Sequence, residues 1–233
     1  MKFIPSILLF FFLLSFSSCS TKTVEPELPD ANPPAPVIPE EPIPEKEKML
    51  WFDAEANFER FSKKENITYY LDLAKSTGFN KIVVDVRPVQ GDALFKSSYL
   101  TPLTDLAGIH IERDWDYLQF FIDEAHKREL KVTVSTTIFT AGLPSSKNGM
   151  AYRDDTWNGK TCLEYTKDQG LIDIKNDKTK VSAFLNPVLP EVQDFCLNFM
   201  KELVTNYDFD GFALDYCRYP GDESDFSETT KVT

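Results

Sequence analysis

Gly211-Phe212-Ala213-Leu214-Asp215-Tyr216-Cys217-Arg218-Tyr219-Pro220 decides how this chain is read. The stretch opens on a glycine, runs through a short apolar segment and ends on a carboxylate, a guanidinium and two phenols. It has the pattern of a short buried strand with polar groups at its C-terminal end. Barrels of parallel strands place their chemistry at such ends. Asp215 is therefore the first candidate for a catalytic residue, and Arg218, Tyr216 and Tyr219 are candidates for substrate contacts. Asp215 is equally able to cap the next helix or to pair with Arg218.

Upstream of this stretch, apolar runs alternate with helical repeats. Residues 50–53 read as a first strand. Asn66 is placed to cap a helix with Ile67, Tyr70, Leu71 and Ala74 on its apolar face, and Gly78 ends it. Residues 81–87 hold the β-branched run Ile82-Val83-Val84-Asp85-Val86, apolar on both faces as in a covered parallel strand. A second helix is expected from near Asp114, with Leu118, Phe121, Ile122 and Ala125 at helical spacing. Residues 131–138 form the third strand, and residues 139–189 a long segment holding a hairpin or lid. Pro190 opens a third helix with Val192, Phe195, Phe199 and Leu203 as its buried stripe. This order is β-α-β-α-β-α-β, so the fold class is α/β with a parallel sheet and right-handed crossovers. A (β/α)8 barrel of the TIM type takes eight strands. The four readable here make the N-terminal half of one, spanning residues 49–233. Its first and fourth strands would be open edges, which favours self-association.

Residues 1–18 read as an export signal: Lys2 precedes an apolar run too short to span a membrane. Ser17 and Ser18 before Cys19 resemble a bacterial lipoprotein signal, in which the cysteine carries lipid. Residues 19–48 hold eight of the fifteen prolines and more acids than lysines, the composition of a disordered stalk. The expected location is the cell envelope, outer membrane or periplasm, with a lipid anchor as the membrane contact. A formal net charge of -12 argues against nucleic acid and fits a neutral partner such as a glycan. Three cysteines remain, Cys162, Cys196 and Cys217, without a C-x-x-C pair. With two histidines, His110 and His126, a histidine-rich metal site is not expected, and no phosphate-binding glycine motif points to a nucleotide cofactor.

Further site candidates lie at other strand ends. Asp85 and Arg87 share a face by period-two alternation and form either a buried ion pair or a polar floor beneath a substrate. Asp53 and Glu55 follow the first strand. Gly91 permits a tight turn that Asp92 caps. Trp115 reads as helix packing, while Trp157 lies in the long segment and is free to pack or to stack on a sugar. Glycoside hydrolysis uses two carboxyl groups facing one bond, and Asp215 supplies one of them.

Four blocks of sequence resemble the glycosyl-hydrolase-like ten family, barrel glycosidases found as lipoproteins in Bacteroidetes. They are Val84-Asp85-Val86-Arg87-Pro88 with Gly91-Asp92-Ala93-Leu94-Phe95; Glu124-Ala125-His126-Lys127-Arg128; Leu185-Asn186-Pro187 with Pro190-Glu191-Val192; and Tyr207-Asp208-Phe209-Asp210-Gly211 through Asp215-Tyr216 and Tyr219-Pro220. The resemblance implies a glycan substrate and a carboxylate at the end of the fourth strand, at Asp215. It departs at Thr133-Val134-Ser135-Thr136-Thr137-Ile138, where the family often has histidine, asparagine and proline. A non-catalytic glycan-binding protein on the same scaffold is the second expectation, and an inert fragment the third.

Overall fold

The computed structural model describes residues 46–231. The expected export signal, Cys19 and most of the expected stalk lie outside the described residues. The central element is a four-stranded parallel sheet of β1 (Met49–Phe52), β2 (Lys81–Arg87), β5 (Lys131–Thr137) and β8 (Gly211–Asp215), in that spatial order. Between these strands run α1 (Lys64–Ser76), α2 (Tyr117–His126) and α4 (Pro190–Asn206). The expected α/β parallel architecture is therefore present. Strand neighbours in sequence are neighbours in space, as short crossovers require.

One face of the sheet packs on the helices. Ile82, Val84, Val86, Val132 and Val134 are fully buried and share a core with Ile67 and Leu71 of α1, Leu118 and Phe121 of α2, and Phe199 and Leu203 of α4. Burying each such side chain contributes about 1.5–3 kcal/mol. The opposite face carries Trp51, Asp85, Thr133, Ser135 and Asp215.

Two turns differ from the sequence reading. Asn66 lies inside the first turn of α1 rather than capping it, and its Nδ2 donates to the Arg60 carbonyl. The cap of α2 is Asp116, whose side chain accepts from Gln119 N at 3.1 Å. A short hairpin, β3 (Asp105–Leu106) with β4 (Ile109–His110), lies within the connection after β2. The long segment after β5 holds α3 (Met150–Arg153) and the expected hairpin, β6 (Leu163–Thr166) with β7 (Gly170–Asp173). A short α5 (Glu228–Lys231) follows β8.

The register of β8 is set at its start. Asp210 Oδ2 accepts from Val132 N at 2.8 Å and meets His126 Nε2 at 3.0 Å, tying the C-terminus of α2 to the entry of β8. A Cβ on Gly211 would stand 2.6 Å from Thr133 Oγ1, so a side chain here would force Thr133 to move. From there the pairing runs Thr133↔Gly211 to Thr137↔Asp215, which fixes the height at which Asp215 leaves the sheet.

Candidate functional site

The C-terminal ends of β1, β2, β5 and β8 open onto a cavity of 260 Å³. Trp51, Asp53, Glu55, Asp85, Arg87 and Asp215 are among the groups lining it. Four carboxyl groups thus converge at one end of the sheet. Cavities of 370 and 320 Å³ lie among the loops that follow β1 and β2, and neither contains Asp215. The convergence of titratable groups singles out the smaller one as the site.

Asp215 is exposed at the end of β8, and its Oδ1 accepts from Tyr216 N at 2.7 Å. Among the described residues no donor reaches Oδ2. Tyr216 itself has φ +47°, in the left-handed region that costs a non-glycine residue free energy. This turn bends the chain sharply away from the strand axis.

The consequence reaches Arg218 and Tyr219. Tyr216 lines the cavity and also packs on Phe184 at 5.9 Å between ring centroids. Tyr219 joins it against a small second core of Cys162, Ile174 and Phe184. Arg218 donates to the Tyr219 and Pro220 carbonyls and lies 5.1 Å from the Tyr216 ring centre. Neither Arg218 nor Tyr219 lines the cavity, and Arg218 makes no ion pair with Asp215. These residues fasten the β6–β7 region to the end of β8.

Asp85 and Arg87 do not share a face. The register with β5 shifts between them, Asp85 opposite Ser135 and Arg87 opposite Thr136, so the period-two alternation breaks at a bulge. Asp85 stays on the open face and accepts from Trp51 Nε1 at 2.9 Å. Burial raises its pKa above the ordinary carboxylate range. Hydrogen bonds from Trp51, Ser135 and the Ala54 N–H oppose that rise, and the negative charge of Asp53 adds to it. Arg87 turns toward the helices, 1% exposed, with its guanidinium 5.2 Å from the Phe199 ring centre. Its Nη1 donates to the Thr137 carbonyl at 2.6 Å and its Nη2 to the Thr140 carbonyl at 2.8 Å. Burial pushes its pKa down to about 10, and the guanidinium remains a cation at neutral pH. Of the two readings of this pair, the buried ion pair is not formed: Arg87 spends its donors on the Thr137 and Thr140 carbonyls. Arg87 instead clamps the chain as it leaves β5, beside Asp215.

Asp53 and Glu55 also serve the backbone. Asp53 Oδ1 accepts from Glu55 N and Ala56 N, each at 2.9 Å, and Glu55 Oε1 accepts from Val89 N at 2.9 Å. Glu55 thereby links the loops after β1 and β2. Asp92 is structural: it is 3% exposed and both its oxygens meet Arg153 Nη2, at 2.9 and 2.8 Å. Gly91 turns with φ +90°, as the sequence suggests. Trp157 packs on Phe195 at 4.7 Å, and Trp115 packs between Tyr117 and Phe120. Trp51 carried no site role in the sequence reading, yet it is 52% exposed in the cavity. Its single sequence signal is its place two residues before Asp53 at a strand end.

Among the described residues no group of three or more His, Cys, Asp or Glu side chains is arranged to hold a metal ion. Cys162 and Cys196 are buried free thiols and Cys217 is an exposed one.

Known proteins place the chain in a family. A crystal structure of a hypothetical protein from Ruminiclostridium thermocellum ATCC 27405 superposes with a TM-score of 0.50 at 18% identity, covering 77% of this chain and 80% of that one. That likeness concerns the fold alone. An S-layer-related protein of Niallia circulans is 34% identical over 195 residues, 80% of this chain and 12% of that protein. Glycosyl hydrolase DigH of Escherichia coli strain K12 is 30% identical over 164 residues, 68% of this chain and 36% of that protein. The chain thus spans well under half the length of either relative. The family model described as glycosyl hydrolase-like 10 matches residues 47–231. The chain belongs to the glycosyl hydrolase-like 10 family.

Proposed function

We propose that this domain hydrolyses glycosidic bonds, with Asp215 as nucleophile or general base. The observation that carries the reading is the convergence of Asp53, Glu55, Asp85 and Asp215 on one cavity at the C-terminal ends of parallel strands. Asp215 stands out among them by its place directly before a left-handed residue, Tyr216, where backbone strain is retained at the strand end. Asp85 Oδ1 is committed to Trp51 Nε1, and Asp85 so serves to position that ring. Asp53 and Glu55 each keep one oxygen uncommitted, which makes them the candidates for the second carboxyl group within the described residues.

The wider reading is that residues 49–233 form the N-terminal half of a (β/α)8 barrel. The protein would be exported, with Cys19 lipidated and residues 19–48 as the tether to the cell envelope. Loss of lipid-analogue labelling in Cys19→Ala cells would support the anchor, and undiminished labelling would remove it. Hydrolysis is tested by reducing-end release from a panel of neutral glycans by the wild type and Asp215→Asn. Activity that vanishes with Asp215→Asn while binding persists supports the reading. Glycan binding without turnover in the wild type would favour the non-catalytic alternative.

A further inference from the structure

We propose that Trp51 is the stacking platform for an uncharged pyranose ring, held in orientation by Asp85. The proposal rests on the glycan reading above and adds a subsite and a substrate class to it. Trp51 is the tryptophan whose ring is open to the cavity: it is 52% exposed, while Trp115 and Trp157 are packed on other aromatic rings. Within the described residues this leaves an apolar indole face bare. The side chain is nonetheless not free to move. Its Nε1 donates to Asp85 Oδ1 at 2.9 Å, which satisfies the polar edge and fixes the ring plane. Asp85 is itself held in the sheet, opposite Ser135 of β5. A ring so held presents an apolar face of defined tilt beside three further carboxylates.

That combination matches the chemistry of a sugar. One face of a pyranose is lined by C–H bonds and packs on an aromatic ring, while its hydroxyls point outward to acceptors. Asp53, Glu55 and Asp215 supply acceptors around the same cavity. The charge balance selects against acidic sugars. Among the described residues the one cation lining the cavity is Arg87, which is 1% exposed and spends its Nη donors on backbone carbonyls. Among the described residues a uronate would meet carboxylates with no available cation.

The test is calorimetric binding of cellohexaose and chitohexaose, with hexagalacturonate as the acidic counterpart. Trp51→Ala is expected to weaken the better neutral hexasaccharide by about tenfold, and Trp51→Phe to stay within about threefold of wild type. Asp85→Asn keeps an acceptor for the indole and is expected to bind within about threefold of wild type, while Asp85→Ala, which frees the indole, is expected to weaken binding. Hexagalacturonate is expected not to bind. Unchanged binding in Trp51→Ala, no binding of either neutral hexasaccharide to the wild type, or tighter binding of the acidic one would overturn the platform. So would a change of oligomeric state in Trp51→Ala without a change in sugar binding, since the ring would then cover a protein contact. Binding of a neutral hexasaccharide without turnover by the wild type removes the hydrolytic reading and leaves the platform standing, whereas full turnover in Asp215→Asn removes only Asp215 from the mechanism.

Discussion

The two faces of the central sheet are built to opposite rules. On the helix face Ile82, Val84, Val132 and Val134 are fully buried against Phe121 and Phe199. On the other face the same strands present Trp51, Asp85, Ser135 and Asp215, half of them open to solvent. The backbone pairing is common to both, so the difference is carried by side chains alone. Period-two alternation separates the faces until the bulge at Val86, where Arg87 crosses to the helix side. The contrast teaches that one face supplies the stability with which the other holds charged and strained groups in place.

The helix face should be the more costly to damage. Phe199→Ala removes a ring from the core and from beneath the Arg87 guanidinium, and is expected to lower stability by about 3–5 kcal/mol in chemical denaturation. A loss below about 1 kcal/mol would erase the distinction between the faces. Arg87→Met leaves the Thr137 and Thr140 carbonyls without their donors and is expected to cost about 1–3 kcal/mol. Arg87→Lys should not rescue it, because a single ammonium cannot reproduce the guanidinium fork.

The smallest effect concerns Asp85 and carries a sign. Its folded-state pKa is raised, so the native state holds the proton more firmly than the unfolded chain. Stability therefore falls as pH rises from the ordinary carboxylate value of about 3.9 through the raised native value. Asp85→Asn cannot ionise and keeps the Trp51 hydrogen bond. It is expected to melt a few degrees above wild type at pH 7 and to show no such gain below the ordinary value. A thermal melting series across that range reads this directly, and a gain confined to acid would reverse the assignment.

Much of the fold was legible because its signals are local. The β-branched run before Pro88 became β2, and Pro190 opened α4 as its fixed φ allows. The cap of α1 was misplaced because Asn66 has a competing acceptor in the Arg60 carbonyl, a contact no local pattern encodes. Within the site, Asp215 was readable as a strand-end carboxylate. Arg218 and Tyr219 were not correctly aimed, since the left-handed Tyr216 sends them toward Phe184. The bulge that parts Asp85 from Arg87 is equally silent in a continuous apolar run. Trp51 needed the register Trp51↔Val83 and the Asp85 hydrogen bond before its exposure meant anything.

The central claim is that the open face does chemistry through Asp215. It is tested most directly by the turnover of Asp215→Asn against wild type on the same glycan, with thermal melting to verify the fold. The account predicts a fall of at least about 10²-fold in kcat with an unchanged melting temperature and retained binding. Turnover within twofold of wild type in a folded variant would contradict it.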